Sequence, residues 1–86
     1  IIEARSLKEV NEIIQHGDID RILLDNFSIQ DTKKAVQIIN KKYPIESSGN
    51  IDINNIRDYA LCGVNYISIG KLTHSIKSID LSLISI

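Results

Sequence analysis

An α/β architecture of alternating strands and helices is expected for these 86 residues on three grounds. Four short apolar runs each end in an acid, a serine or a glycine: Ile1-Ile2-Glu3, Ile22-Leu23-Leu24-Asp25, Pro44-Ile45-Glu46-Ser47-Ser48-Gly49 and Tyr66-Ile67-Ser68-Ile69-Gly70. Their polar tips recur at roughly 22-residue intervals, as repeated βα units would place them. Helix-like segments fill the gaps, so each strand delivers one polar group to the same edge of a parallel sheet. That edge is where such folds bind ligands.

The first helix follows from Ser6-Leu7-Lys8-Glu9, a capping box in which the serine hydroxyl takes the Glu9 amide and the glutamate reaches back to the serine amide. Leu7, Val10, Ile13 and Ile14 share one face, and Gly17 supplies the stop, which predicts a helix over Leu7 to Gln15. Ser28 caps the second helix, with Asp31 in its first turn, a stripe of Thr32, Ala35, Val36 and Ile39, and an end at Asn40 or Lys41. Asp52 is the expected third cap, with Ile53, Ile56 and Ala60 as the buried stripe and Gly63 as the stop. The strands Ile22 to Leu24 and Tyr66 to Ile69 are mostly apolar, as expected for strands sandwiched between other layers. From Ile76 to Ile86 the repeat breaks: Ile79, Leu81 and Leu83 alternate with Asp80 and Ser82, which reads as a tail strand at an edge, packing elsewhere.

A length of 86 residues with 43% hydrophobic content suffices for one small domain. The chain opens at Ile1 without methionine and with only two residues before its first acid, so it reads as an excerpt of a longer polypeptide. A closed (β/α)₈ barrel takes about 250 residues, so about four parallel strands with three helices and a tail strand make a partial TIM-like (β/α) barrel, roughly half of one. The net charge of -1 gives no basic stripe, and three tyrosines and one phenylalanine are too few for base stacking, which argues against a nucleic-acid partner. One cysteine, Cys62, cannot form an internal disulfide, and no apolar run has the length of a membrane helix or signal peptide, which fits a cytoplasmic protein.

Chemistry concentrates after the third and fourth strands. Ser47, Ser48, Gly49 and Asn50 place hydroxyls and a glycine between a strand and a helix, where the backbone can approach a phosphate and the helix can add its free amides. Gly70-Lys71-Leu72-Thr73-His74-Ser75 repeats that logic one strand later. Glu3 and Asp25 end the first two strands, either as site carboxylates or as caps and solvated acids. Asn26 reads as a turn former, Glu46 as an acid pairing with a lysine, His16 as a surface residue at a helix end, and Cys62 as a small apolar filler. Cysteine and histidine show no metal-ligand spacing.

Four blocks carry a resemblance: Glu3-Ala4-Arg5-Ser6-Leu7, Leu23-Leu24-Asp25-Asn26-Phe27, Glu46-Ser47-Ser48-Gly49-Asn50-Ile51, and Gly63 to Ser75 with its Ile69-Gly70-Lys71-Leu72-Thr73-His74 core. In order and spacing they closely resemble the quinolinate phosphoribosyltransferase family, the carboxylating nicotinate-nucleotide pyrophosphorylases, over essentially the whole chain. The resemblance implies that residues 1–86 are the C-terminal portion of that family's barrel domain, with the upstream barrel half and an N-terminal domain outside them. It also implies that Glu3 and Asp25 are the catalytic acids facing phosphoribosyl diphosphate and its magnesium, Asp25 as a magnesium contact. Ser48, Gly49 and Asn50 match one substrate loop; Ile69, Gly70 and Lys71 match another, with His74 behind it. Two positions depart from the family pattern, Lys71 where alanine is common and Asn50 where a second glycine is common.

The implied reaction transfers phosphoribosyl from phosphoribosyl diphosphate to quinolinate, with release of diphosphate and carbon dioxide, giving nicotinate mononucleotide in NAD biosynthesis. The basic residues that clamp quinolinate match positions upstream of Ile1, so the fragment alone is expected to be inactive. The resemblance further implies a homodimer or higher homo-oligomer, with the tail Ile79 to Ile86 as a packing element. Two rivals stand beside it: a sister phosphoribosyltransferase-like barrel acting on another acid, and a non-catalytic βα fragment or binding module.

Overall fold

The computed structural model describes residues 1–69 and 77–83. Four strands, β1 (Ile2–Ala4), β2 (Ile22–Asp25), β3 (Ile45–Ser48) and β4 (Tyr66–Ile69), lie parallel and adjacent in chain order. A fifth, β5 (Lys77–Asp80), closes the order by pairing antiparallel with β4. The order never reverses. Successive right-handed crossovers therefore carry α1 (Leu7–His16), α2 (Ile29–Ile39) and α3 (Ile56–Leu61) to the same side of the sheet. The expected α/β class, four parallel strands and three helices are all present.

Strand parity decides what each side of the sheet contains. Ala4, Ile22, Leu24, Ile45 and Ile67 point to the helical side and are buried with Val10, Ala35 and Ile39. Their registered neighbours Glu3, Leu23, Glu46, Tyr66 and Asp80 share the opposite side. The strands are thus not apolar on both sides, as the sequence suggested: one side is an aliphatic core and the other carries charge. At full burial each of the isoleucines and leucines contributes about 1.5–3 kcal/mol of hydrophobic stabilisation, so the helical side supplies the cohesion.

The helix starts follow local chemistry. Ser6 Oγ accepts from the Glu9 amide at 3.2 Å, and Ser28 Oγ from the Asp31 amide at 3.1 Å. Glu9 closes its box one residue earlier than expected, its Oε1 accepting from the Arg5 amide at 2.6 Å. Helix α1 runs one residue past the expected Gln15, and Asn40, left-handed at φ 50°, ends α2.

Two expectations fail. Asp52 does not cap the third helix, which starts only at Ile56 with Asn55 as its N-cap, and Ile53 is 87% exposed rather than buried. The cause is a competing turn: Asp52 Oδ1 takes the Asn54 amide at 2.8 Å and Asn55 Oδ1 takes the Asp52 amide at 2.8 Å, so side-chain acceptors hold the segment off helical geometry. The tail also differs. Among the described residues of the tail, Lys77–Asp80 is strand, and it joins this sheet rather than packing elsewhere. Asp80 Oδ1 then accepts from both the amide and the hydroxyl of Ser82, turning the chain into a short 3₁₀ helix at Leu81–Leu83. Residues 84–86 of the expected tail strand lie outside the described residues.

Candidate active site

The C-terminal ends of the parallel strands form one rim. Asp25 and Ser48 are registered neighbours there, with Ser48 Oγ donating to Asp25 Oδ1 at 3.5 Å. Glu3 lies in the next layer of β1 and points to the same side, because Glu3, Arg5 and Asp25 meet: Arg5 Nε donates to Glu3 Oε2 at 2.7 Å and lies 3.9 Å from Asp25 Oδ2. The hydrogen bond that Arg5 donates to Glu3, then the charges of Glu3 and Asp25, push the Arg5 guanidinium pKa above its usual value. All three side chains keep substantial exposure, so water screens this pairing and it is readily remade. Arg5 is a rim residue that the sequence reading passed over. Its signal was available, since it follows Glu3 by two, one residue past the end of β1, where strand alternation carries it to the same side.

The β3–α3 loop sits beside Asp25. Gly49 has φ +114°, a conformation glycine adopts without penalty, and a Cβ there would fall 2.8 Å from Asn26 Cα. Asn26 is itself left-handed at φ 61°, in keeping with its expected turn role, and its amide donates to Ser48 O at 2.9 Å. The helix-terminus contribution expected for this loop is absent. The amides of Ile51, Asp52, Asn54, Asn55 and Ile56 all bond within the turn, and α3 begins six residues beyond Asn50 on a chain segment of its own. Among the described residues, the Gly49 and Asn50 amides are left without an acceptor. Anion recognition at this loop would therefore run through those two amides and the Ser48 hydroxyl rather than through a helix dipole.

Deeper on the same side lies a charge network. Glu46, 7% exposed, accepts from Arg21 Nη1 at 2.7 Å, from the Ser68 hydroxyl, and from Ser78 Oγ at 3.4 Å, while the Arg21 guanidinium stacks 3.6 Å from the centre of the Tyr66 ring. The Glu46 hydrogen bond raises the Arg21 pKa above its usual value. Glu46 thus pairs with an arginine where a lysine was expected. Cys62 matches its expected filler role: its Sγ lies against the Asp58 and Ile29 carbonyls, and burial pushes the thiol pKa up, away from nucleophilic thiolate.

Of the sequence candidates, Glu3, Asp25, Ser48, Gly49 and Asn50 come together on the rim. Ile69 ends β4, its side chain packed against the core, so only its backbone can serve a ligand. Gly70, Lys71 and His74 lie outside the described residues. No cluster of three or more His, Cys, Asp or Glu side chains able to hold a metal occurs among the described residues. The rim does offer two hard carboxylates, the donor set that suits a magnesium ion arriving with substrate phosphates rather than one held in a protein cage.

Comparison with known proteins follows this geometry. Residues 1–84 match the family model described as "Quinolinate phosphoribosyl transferase, C-terminal domain". A relative from Methanocaldococcus jannaschii, a probable nicotinate-nucleotide pyrophosphorylase [carboxylating], is 43% identical over 89 residues, covering 95% of this chain and 31% of that protein. A chloroplastic nicotinate-nucleotide pyrophosphorylase [carboxylating] from Oryza sativa subsp. japonica is 35% identical over 96 residues, covering 95% of this chain and 26% of its own length. Among solved structures, the nicotinate-nucleotide pyrophosphorylase of Ehrlichia chaffeensis superposes with a TM-score of 0.79 at 47% identity, covering 92% of this chain and 28% of that one. The enzyme of Francisella tularensis gives 0.75 at 45% identity, covering 91% and 28%. The chain spans under a third of the length of each of these relatives.

Proposed function

Because the chain belongs to the quinolinate phosphoribosyltransferase C-terminal domain family, we propose that it is the C-terminal portion of the barrel domain of an enzyme that joins quinolinate to phosphoribosyl diphosphate. Quinolinate nitrogen would bond to the anomeric carbon as its bond to diphosphate breaks, and one ring carboxylate would leave as carbon dioxide, its electron pair staying on the ring carbon to take up a proton from solvent, giving nicotinate mononucleotide. The observation that carries this reading is the gathering of Glu3, Asp25, Ser48, Gly49 and Asn50 at one end of the sheet.

Charge management dominates such a transfer. The sugar carbon becomes cation-like as diphosphate departs, so the Glu3 and Asp25 carboxylates stabilise it by proximity without acting as nucleophiles. Magnesium, when bound with diphosphate, neutralises the leaving group, and Asp25, with or without Glu3, is the residue that would hold it. Arg5 keeps the two acids balanced before substrate arrives. The Gly49 and Asn50 amides and the Ser48 hydroxyl would fix a phosphate, spending remote binding energy on placement of the reacting carbon. On the fourth strand, Ile69, Gly70, Lys71 and His74 remain proposed as the second substrate loop.

The assembly is proposed to be a homodimer or larger homo-oligomer working in the cytoplasm. No described helix is long and apolar enough to cross a membrane. The reading is tested by assaying the full-length protein with quinolinate and, in parallel, nicotinate. Turnover confined to quinolinate is expected, and Asp25→Asn should lower it by about two orders of magnitude at saturating magnesium. Wild-type turnover in that variant would remove Asp25 from charge stabilisation.

A further inference from the structure

Two loops that approach the rim from different strands are fastened to each other at one residue, Asn26. Its backbone amide extends the β2–β3 ladder by one rung, to Ser48 O at 2.9 Å. Its side-chain Oδ1 accepts from Asn50 Nδ2 at 3.2 Å. Its backbone packs so closely under Gly49 that no Cβ fits between them. The fastening continues outward on both flanks: Asn55 Nδ2 donates to Asn50 O at 2.8 Å, and Tyr59 Oη donates to the buried Phe27 carbonyl at 2.7 Å. Asn26 thus lies immediately after the rim acid Asp25 and touches both residues whose amides find no acceptor among the described residues.

We propose that Asn26 is a positioning residue that sets the Gly49–Asn50 amides at a fixed offset from the Asp25 carboxylate, so that a sugar phosphate held by the loop presents its anomeric carbon to the acid. This rests on the proposed phosphoribosyl transfer. Asparagine suits the task on two counts. It tolerates the left-handed backbone that brings its amide under Ser48, and its short amide can accept from Asn50 without leaving that backbone. Glycine would keep the first property and lose the second, whereas alanine would lose both.

The test uses the full-length protein with Asn26→Gly, which keeps the backbone, and reads two quantities. Binding of phosphoribosyl diphosphate with magnesium, by titration calorimetry, should weaken about fivefold for the loss of one hydrogen bond, and kcat should fall by about tenfold or more, because the anomeric carbon is no longer held at one offset from Asp25. Hydrogen exchange of the Ile51 amide, bonded to Gly49 O at 2.8 Å, should accelerate, while that of the Ile22 amide at the far end of the sheet stays unchanged. In an Asn50→Ala background the Asn26→Gly effect on binding should vanish, because the acceptor then has no donor. Unchanged binding in Asn26→Gly, equal acceleration at Ile22, or a full effect in the Asn50→Ala background overturns the proposal. Wild-type protein that fails to bind phosphoribosyl diphosphate overturns the reading of the site itself, whereas wild-type binding with an indifferent variant overturns only the coupling.

Discussion

Arg21 and Glu46 form a charge pair in which the carboxylate is buried and the guanidinium is not: Nη1 meets Oε1 at 2.7 Å, with the side chains 25% and 9% exposed. Water can rescue one partner and not the other. Removing the arginine strands a buried negative charge, while removing the glutamate leaves a cation that still stacks on Tyr66 and reaches solvent.

Arg21→Met is accordingly expected to destabilise by roughly 2 kcal/mol, below the about 3–5 kcal/mol of a fully buried broken pair because the Ser68 and Ser78 hydroxyls still serve the carboxylate. Adding Glu46→Leu to Arg21→Met should recover part of that loss. Urea denaturation of the full-length protein and its single and double variants measures both, and equal losses for the two single variants would contradict the asymmetry.

Gly49→Ala should be among the most damaging single-atom additions in the chain. The new methyl would stand 2.8 and 2.9 Å from Asn26 Cα and N, both backbone atoms, on a residue at φ +114°. Strain of about 1–3 kcal/mol from the backbone alone, plus the overlap, is expected as a fall in melting temperature and a weakened affinity for phosphoribosyl diphosphate.

Ser47→Ala should do the opposite. Ser47 is 1% exposed and its hydroxyl has no hydrogen-bond partner among the described residues, although it stands in the same motif as Ser48. Parity turns it toward the helices while Ser48 faces the rim. Removing an unpaired buried hydroxyl is expected to leave stability unchanged or raise it by about 1 kcal/mol, with kcat unaltered; a clear loss of either would show that Ser47 has a partner in the working protein.

Cys62 should resist alkylation at pH 8. Burial raises its pKa above the ordinary 9.0, so the folded state holds the proton more tightly than the unfolded chain. The contribution of the neutral thiol to stability is therefore complete below pH 9.0 and is lost as pH rises through the folded value. Iodoacetamide labelling several-fold slower than that of free cysteine, accelerating above that pH, is the expected result.

The parts of this fold legible in the sequence are those governed by neighbours within a few residues. Ser6 and Ser28 cap as expected because the hydroxyl, its target amide and the first turn are contiguous. The rim candidates were legible for another reason: parallel strands in chain order bring every strand end to one edge, so Glu3, Asp25 and Ser48 needed only correct strand assignment to be neighbours. What escaped depended on competition. At Asp52, turn and cap both call on the same short acid, and the choice was made by Asn55 bonding back to Asn50 O and to the Asp52 amide. The placement of Arg5 between two acids, and of Glu46 beneath Arg21, needs the register of strands whose partners lie 20 and 23 positions apart in the chain.

A one-sided helical layer gives every strand here a two-beat grammar for tolerated change. Along β2, Ile22 and Leu24 answer to volume, since their side is packed mainly by aliphatic neighbours with Ser47 beside Leu24, whereas Leu23 and Asp25 answer to charge and hydrogen bonding. Swapping Leu24 for isoleucine and swapping Leu23 for glutamine would thus be comparably mild, and exchanging the two replacements would not. Evolution along such a strand can retune chemistry on one beat while leaving cohesion on the other untouched.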